Sequence, residues 1–367
     1  MSAGNPLLPQ SSWRLEPLTL PRGMAVEWAG EGGVLLSLGN SLYRSPSPTG
    51  QRTLVGSVPA PFVRRFMSSF RLGQRLMRFM FYNAFPLPNG DVFVTFGRDL
   101  GVFRDGAYLP VEGIERPSRV LRRGCAVDAG GTVYWGEYLG NPERSGVSIY
   151  RLESGSTRAV KAHTFEPGRV RHVHGVYADP ADGSLWVATG DLEAECAIMR
   201  STDGCATFET VGSGDETWRA VSLLFTPEAI YYGMDAEFRQ NHVFRIDRMS
   251  RERTRVGDVG GPVYYSHKSG RDLFFAVTAE ICPSQAQPSA ALWHLPADGG
   301  ALECVASFTK DLFRSRKGAA LFMPGTLHFP YTPHGDSSGT GDYVSGVGLA
   351  GADGRVFRLA ASGVTQP

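Results

Sequence analysis

An all-β ring of seven four-stranded blades is the architecture this sequence predicts, and three observations predict it. A tetrad of any residue, an aliphatic, a bulky apolar side chain and then Arg recurs seven times. Its spacing of about 45 to 65 residues falls in the range where internal repeats mean propellers or arrays. A second apolar run, alternating or aromatic, precedes each tetrad, and most of these runs follow a hairpin turn signal. The 45 glycines and 11% aromatic content suit a turn-rich all-β chain.

The tetrads are Ser41-Leu42-Tyr43-Arg44, Gly101-Val102-Phe103-Arg104, Ser148-Ile149-Tyr150-Arg151, Ala197-Ile198-Met199-Arg200, His242-Val243-Phe244-Arg245, Ala291-Leu292-Trp293-His294 and Arg355-Val356-Phe357-Arg358. Only the sixth departs from the pattern, with His294 in the Arg slot. Each reads as the third strand of a blade. The second strands are read at Val34–Leu38, Asp91–Phe96, Thr132–Trp135, Ser184–Ala188, Ala229–Tyr232, Leu273–Val277 and Thr326–Phe329. Turn signals such as Asn89-Gly90, Gly130-Gly131, Asp182-Gly183 and Pro324-Gly325 introduce them. Four strands in each of seven repeats make a seven-bladed β-propeller.

The last tetrad lies almost at the C-terminus and leaves little chain for its fourth strand. Arg14–Leu20 precedes the first blade and has no partner within it. The expectation is that this N-terminal segment completes blade seven, which closes the ring and removes a free sheet edge. All 367 residues then form one domain.

Formal net charge is +1, which argues against a nucleic-acid binder that relies on bulk attraction. No apolar run has the length of a membrane span. The first residues lack the basic and apolar regions of a signal peptide, so a cytoplasmic location is expected. The five cysteines form no CxxC pair and read as reduced thiols buried in strands. Cys125 follows Arg122-Arg123, which leaves a catalytic thiol as the alternative there.

Ser201-Thr202-Asp203-Gly204-Cys205-Ala206-Thr207-Phe208 resembles an Asp-box, the S-x-D-x-G-x-T-W signature of BNR-repeat propellers, of which sialidases are members. Cys205 stands where that family has Gly, and Phe208 replaces its Trp. The box occurs once, and no Arg-Ile-Pro motif is found near the N-terminus. The resemblance implies a propeller, and it implies that this hairpin turns on the face opposite the usual active site. A short Asp in such a turn bonds local backbone amides, which is a structural role. Residues 171–235, with His172, His174, Trp186, Asp191, Trp218 and Arg219, also look similar to bacterial Asp-box proteins of unknown function.

In a propeller, the loops between second and third strands share one face with the loops between blades. Here those loops are long and hold the unusual residues, which marks a functional face. The segments entering the innermost strands carry Arg122-Arg123, Arg169, Arg171, Trp218-Arg219, Arg314, Arg316 and Lys317. Converging cations point to an anionic ligand, and Arg123, Arg171, Arg219, Arg316 and Lys317, with Trp218 for stacking, are the candidate substrate contacts. Pairing with local acids is the competing role. The other loops hold Glu137, Asp191, Glu193, Glu195, Asp235, Glu237 and Asp336, with Tyr138, Tyr264, Tyr265 and Tyr331.

Cations, carboxylates and aromatic faces together suit an acidic saccharide. The function expected is therefore an enzyme acting on an acidic saccharide or related anionic glycoconjugate. As a glycosidase it would use a carboxyl pair from Glu137, Asp191 and Asp235. As a uronate lyase it would neutralise the substrate carboxylate with Arg171 or Arg219 and take the proton on Tyr138, Tyr265 or His174. His172 and His174 are two apart on a strand and share one side. With His242 and His334 they are candidate ligands for a divalent metal, Zn or Mn, in outline similar to propeller-type oligogalacturonate lyases. Hydrogen-bonding histidines in a polar channel are the competing reading. A non-catalytic propeller that binds an anionic ligand or a protein is the alternative function.

One insertion interrupts the repeat. Residues 61–81 hold five arginines and no acid. Phe62, Phe66, Phe70 and Met77 against Arg64, Arg71, Arg75 and Arg78 suggest a helix with an apolar and a basic side. It is read as a lid packed on the propeller, as a contact to an anionic membrane surface, or as a source of Arg for the ligand. The membrane reading would suit a peripheral enzyme acting on a lipid-linked intermediate.

Overall fold

The computed structural model describes residues 11–285, 287–311, 323–332, 336–337 and 341–362. Its strands form seven antiparallel four-stranded sheets in a ring. The architecture is a seven-bladed β-propeller. Six blades take four consecutive strands each, beginning with β2 (Ala25–Gly30), β6 (Phe81–Pro86), β10 (Cys125–Val127), β14 (Val173–Ala178), β18 (Leu224–Phe225) and β22 (Val263–Ser269) as innermost strands.

The seventh blade joins the two ends of the chain. Its order is β26 (Thr326–His328), β27 (Asp342–Val347), β28 (Val356–Ala361) and then β1 (Trp13–Pro17). Trp13 pairs with Ala361 and Pro17 with Phe357, so the N-terminal strand is the outer strand of the last blade. Trp13 also packs edge-on to Phe274, with ring centroids 5.0 Å apart. One strand assignment differs from the sequence reading. Thr326–His328 is the innermost strand of blade seven, and the second strand is Asp342–Val347. Gly325 enters the blade from outside rather than turning a hairpin: its N–H and carbonyl pair with Ala279 of the neighbouring blade. His328 therefore faces the channel region beside Arg122 and Glu27.

The tetrads are the third strands of all seven blades, and their packing explains the repeat. Seven apolar clusters fill the seven junctions between blades. Consecutive strand residues point to opposite faces of a sheet, and both faces of a blade are covered here. The aliphatic residue of each tetrad packs toward the next blade, and the bulky residue packs toward the previous one. Ile149 lies with Met199 between blades three and four. Ile198 lies with Phe244 between blades four and five. Val356 meets Tyr43 where blade seven meets blade one.

The fourth tetrad position faces the hairpin that starts the second strand. Arg104 forks onto Asp91 at 2.7 and 3.0 Å, Arg200 reaches Asp182 at 2.8 Å, and His294 reaches Asp272 at 2.7 Å. The Arg slot thus ties the third strand to the turn between the first two. The Asp-box-like hairpin between β16 (Ala197–Ser201) and β17 (Glu209–Ser213) is equally local. Asp203 Oδ1 accepts the Ala206 and Thr207 amides at 3.0 Å, and Thr207 Oγ1 donates to Asp203 Oδ2. Cys205 adopts a φ of 66°, the left-handed conformation that favours glycine.

The insertion forms two short helices, α1 (Phe62–Ser68) and α2 (Arg71–Met77). Its sidedness is the reverse of the expectation. Arg71 and Arg75 turn inward, where Arg71 forks onto Asp353 and Arg75 onto Asp311. Phe62, Val63, Phe66 and Leu72 face solvent. Ion pairs to the loops of blades six and seven, together with Met67 against the cluster between blades one and two, dock this segment.

Candidate functional site at the polar end of the channel

The site lies where the innermost strands begin. His172 and His174 flank Val173 at the start of β14, with ring centroids 5.1 Å apart, and both face the channel mouth. Asp191 follows β15 (Leu185–Thr189) of the same blade. One Nε2 from each imidazole and one carboxylate oxygen of Asp191 all lie within 4.8 Å of one another.

The hydrogen bonds on the far side of each ring fix its tautomer. His172 Nδ1 is 2.9 Å from the Leu139 carbonyl, and His174 Nδ1 is 2.8 Å from the Ala220 carbonyl. A carbonyl only accepts, so both Nδ1 atoms carry hydrogen and a neutral ring presents its Nε2 lone pair. Those Nε2 atoms sit 3.4 and 3.7 Å from Asp191 Oδ1. His172 Nε2 is buried with no hydrogen-bond partner. Three acceptors converge, and the arrangement suits a cation between them.

Asp191 is held there under strain, at a φ of 132°, an unusual conformation for a residue with a side chain. Arg171 donates to its Oδ2 at 2.7 Å, and Arg219 stands 3.3 Å from its Oδ1. The turn needs Gly190: a Cβ there would lie 3.0 Å from Arg219 Cγ and 3.2 Å from His174 Cε1. Burial alone would raise the Asp191 carboxyl, but with no cation between them protonated imidazoles would donate to it from Nε2 and hold it well below the usual carboxylate range. Burial holds His174 below the ordinary imidazole range, against the pull of Asp191.

A second pair of acids lies deeper. Arg219 Nε donates to Asp235 Oδ2 at 3.0 Å, and the Tyr264 hydroxyl donates to Glu280 Oε2 at 3.0 Å. Burial pushes the Asp235 carboxyl well above its usual range; Arg219 opposes this and Glu280 and Asp191 add to it. Burial likewise raises Glu280, against the Tyr264 hydrogen bond and Arg219. Burial thus favours the neutral form of both acids. The Tyr138 ring packs against His172 at 4.1 Å, and burial together with Asp191 and Asp235 raises its phenol.

The cavity in front of these groups has a volume of about 590 Å³ and is also lined by Arg78, Arg98 and Arg119. Arg78 is the left-handed cap of α2, with a φ of 54°. The insertion therefore brings a cation to the mouth. Arg119 is fixed by paired backbone hydrogen bonds to Tyr138, while its Nε is buried without a partner. Burial, with Arg78 and Arg98 nearby, lowers its guanidinium from the ordinary range. Among the described residues, none of these three arginines forms an ion pair. Clustered cations without carboxylates are suited to an anion from solution.

Of the residues expected from sequence, Tyr138, Arg171, His172, Asp191 and Arg219 line this cavity, with His174 and Asp235 directly behind them. Others fall elsewhere. Glu137 is buried and clamped by Arg116 at 2.7 and 2.9 Å and by the Ser148 amide, so it holds a loop and is not a free acid. Tyr265 points the other way from Tyr264, as neighbours on a strand do, and packs beside His328. Trp218 stacks on Tyr232 and lies under the Arg253 guanidinium, 3.8 Å from its ring centre. His242 pairs with Asp258 of the outermost strand of its blade and takes no part in the cluster. Arg123 enters a different cavity. Cys125 is buried, which raises its thiol and removes the reactive-thiol alternative. Arg316, Lys317 and His334 lie outside the described residues.

Three contributors were not singled out from sequence, Arg98, Arg119 and Glu280, whereas Arg78 belongs to the insertion that was read as a source of Arg for the ligand. A positional signal exists for Glu280. Asp191 and Asp235 each follow the end of a second strand by two residues, and Glu280 follows β23 (Asp272–Val277) by three. The three arginines come from loops of unlike length, so no repeat spacing reveals them.

No family model and no curated protein matches this chain. Among solved structures, a chain of the mitotic checkpoint complex is similar at 10% identity and a TM-score of 0.54, with 98% of each chain covered. The WD40 β-propeller domain of Doa1 is similar at 8% identity and a TM-score of 0.55, covering 95% of this chain and 96% of that one. At such identities the likeness is one of fold, and the chain is a β-propeller whose chemistry must be argued from its own residues.

Proposed function

We propose that the polar mouth is the active site of an enzyme acting on an acidic saccharide or a related anionic glycoconjugate, with a divalent cation held by His172, His174 and Asp191. The observation that carries this reading is the convergence of two Nε2 lone pairs and one carboxylate oxygen, with both Nδ1 atoms committed to carbonyls. Two imidazoles and a carboxylate are a common ligand set for Zn or Mn, and they leave positions open for substrate. A cation held by these three residues would supply Lewis acidity to the bound substrate.

The protein's own residues do the rest. Arg78, Arg98 and Arg119 receive the carboxylates and orient the sugar. Tyr138 offers a ring face at the cavity wall. Glu280, whose neutral form burial favours, faces the cavity as the candidate proton donor to a leaving oxygen, while Tyr264 holds its Oε2. Arg219 joins the Asp191 and Asp235 carboxylates and fixes their spacing. The Asp-box-like hairpin fits an origin among carbohydrate-active propellers. A cytoplasmic location agrees with the reduced cysteines expected from sequence.

Elemental analysis of untagged protein purified without chelator tests the reading, followed by incubation with uronate oligosaccharides. Near-stoichiometric Zn or Mn that is lost in the His172→Ala/His174→Ala variant is expected, with product formed only by the loaded protein. A metal-free protein that turns over no acidic glycan would leave a non-catalytic binder of anions.

A second reading has its own observation. Phe62, Val63 and Phe66 are 80, 66 and 59% exposed beside Arg64 and Arg65 on α1. This surface suits peripheral contact with an anionic membrane. Sedimentation with phosphatidylserine vesicles checks it: binding should fall in Phe62→Ser/Phe66→Ser, and equal binding by that variant removes the reading.

A further inference from the structure

The opposite end of the channel holds a second cavity, of about 520 Å³, which the chemistry above leaves unused. It reaches to where the innermost strands finish: Pro86 ends β6, Val127 ends β10, Ala178 ends β14 and Phe225 ends β18. Its wall is mostly apolar, with Trp28, Phe85, Tyr177, Leu223, Phe225 and Tyr331. The volume lies within the range of about 300–1,000 Å³ usual for small-molecule sites.

Inside this apolar space stands one cation, Arg123. It is placed by a φ of 60°, and its amide donates to Asn83 Oδ1 at 2.7 Å. One guanidinium nitrogen donates to the Ser266 carbonyl at 2.7 Å. Among the described residues, no carboxylate pairs with it. Its titratable neighbours in the wall are the neutral phenols of Tyr331 and Tyr177, and burial lowers the guanidinium from its ordinary range. The cavity's acid, Asp128, is committed to its own turn, where it accepts the Gly130 and Thr132 amides and the Tyr134 hydroxyl.

Three hydroxyls add a second, independent sign. Ser222, Ser266 and Thr332 all line this cavity, and the hydroxyl of each is buried without a hydrogen-bond partner. Buried hydroxyls are nearly always satisfied, and a half-buried guanidinium without a carboxylate favours an anion beside it. A guanidinium and several idle donors in an aromatic wall share one complement: a carboxylate on an apolar body.

We infer that this end of the channel is a binding site for a small apolar carboxylate, with Arg123 receiving the acid group and the aromatic wall covering the remainder. The site is separate from the polar mouth, and its occupancy does not depend on the chemistry proposed there. The carboxylate would restore the charge balance that the fold leaves open at Arg123.

Isothermal titration of the full chain with decanoate, decanol and sodium chloride tests the inference. Saturable decanoate binding at least tenfold tighter than decanol is expected. Arg123→Met should weaken decanoate at least tenfold, with thermal melting confirming that the variant is folded. Decanol binding as tightly as decanoate would overturn the role of charge, and no saturable decanoate binding would overturn the site. Chloride at 0.1 M that abolishes decanoate binding would show a halide site and overturn the carboxylate reading. The decanoate and decanol comparison uses the unaltered protein, so it decides even where Arg123→Met fails to fold.

Discussion

The two ends of the channel are built from the same seven innermost strands, yet they are chemical opposites. Where the strands begin, Arg78, Arg98, Arg119, Arg171 and Arg219 mix with Asp191, Glu280 and two imidazoles. Where they finish, Arg123 stands alone among aromatic rings. The difference follows from what each end receives. The beginning is fed by loops between blades and after second strands, whose length varies and which carry charge. The end is closed by hairpins such as Pro88-Asn89-Gly90, whose polar side chains are spent on the turns themselves. A propeller thus separates a loop-rich face from a hairpin face, and Arg123, which enters ahead of β10 from the loop-rich side, stands out because it reaches into the apolar part of the channel.

The largest expected effect removes both ends together. Deleting residues 1–17 takes away β1 and leaves the edge of β28 open. Melting temperature should fall by about 10 °C or more, since five residues of pairing and the Trp13–Phe274 contact are lost. Unchanged melting would show that the ring is closed by the interfaces between blades alone.

The next effect should separate the ends. His172→Ala/His174→Ala is expected to lose bound metal and any turnover, while decanoate titration is unaffected. Loss of both would mean that the channel is one continuous site. Within the polar end, Arg119→Ala should weaken an anionic ligand by about 10- to 100-fold, the usual scale for a charge-assisted hydrogen bond. The same variant should melt no lower than the unaltered chain, because it removes a half-buried guanidinium without an ion pair. A drop in stability with no change in affinity would assign Arg119 to the fold.

The fold was legible because the tetrad reports on packing that repeats at every junction. Leu42, Ile149, Ile198, Val243 and Leu292 are fully buried for one reason: each fills the same position between two blades. The site was legible in part, where strand geometry governs it. His172 and His174 share a side by alternation, and Asp191 and Asp235 occupy matching positions after second strands. The same alternation separates Tyr264 from Tyr265, but a β-bulge between Val263 and Tyr265 obscures which of them faces the mouth. Glu137 was misread because its partner, Arg116, comes from the connection between blades two and three. The sidedness of the insertion was misread because apolar periodicity normally marks the buried face. Here Asp311 and Asp353 offer carboxylates that draw Arg75 and Arg71 inward.

The smallest effect belongs to the Asp-box-like hairpin and serves as a control remote from the polar mouth. Hydrogen bonds from Thr207, Ser201 and Ala206 lower the Asp203 carboxyl to about 2. An unfolded Asp titrates near about 3.9. The folded value is the lower of the two, so the ionised hairpin adds stability that is fully present above about pH 4 and is lost as pH falls through about 2. Asp203→Ala should therefore melt slightly below the unaltered protein at pH 6, and the gap should narrow between pH 4 and pH 2. Its metal content and decanoate affinity should match those of the unaltered chain. A gap that stays constant down to pH 2 would mean that the turn is held by its backbone, with Cys205 in the left-handed conformation fixing the hairpin without help from the carboxylate.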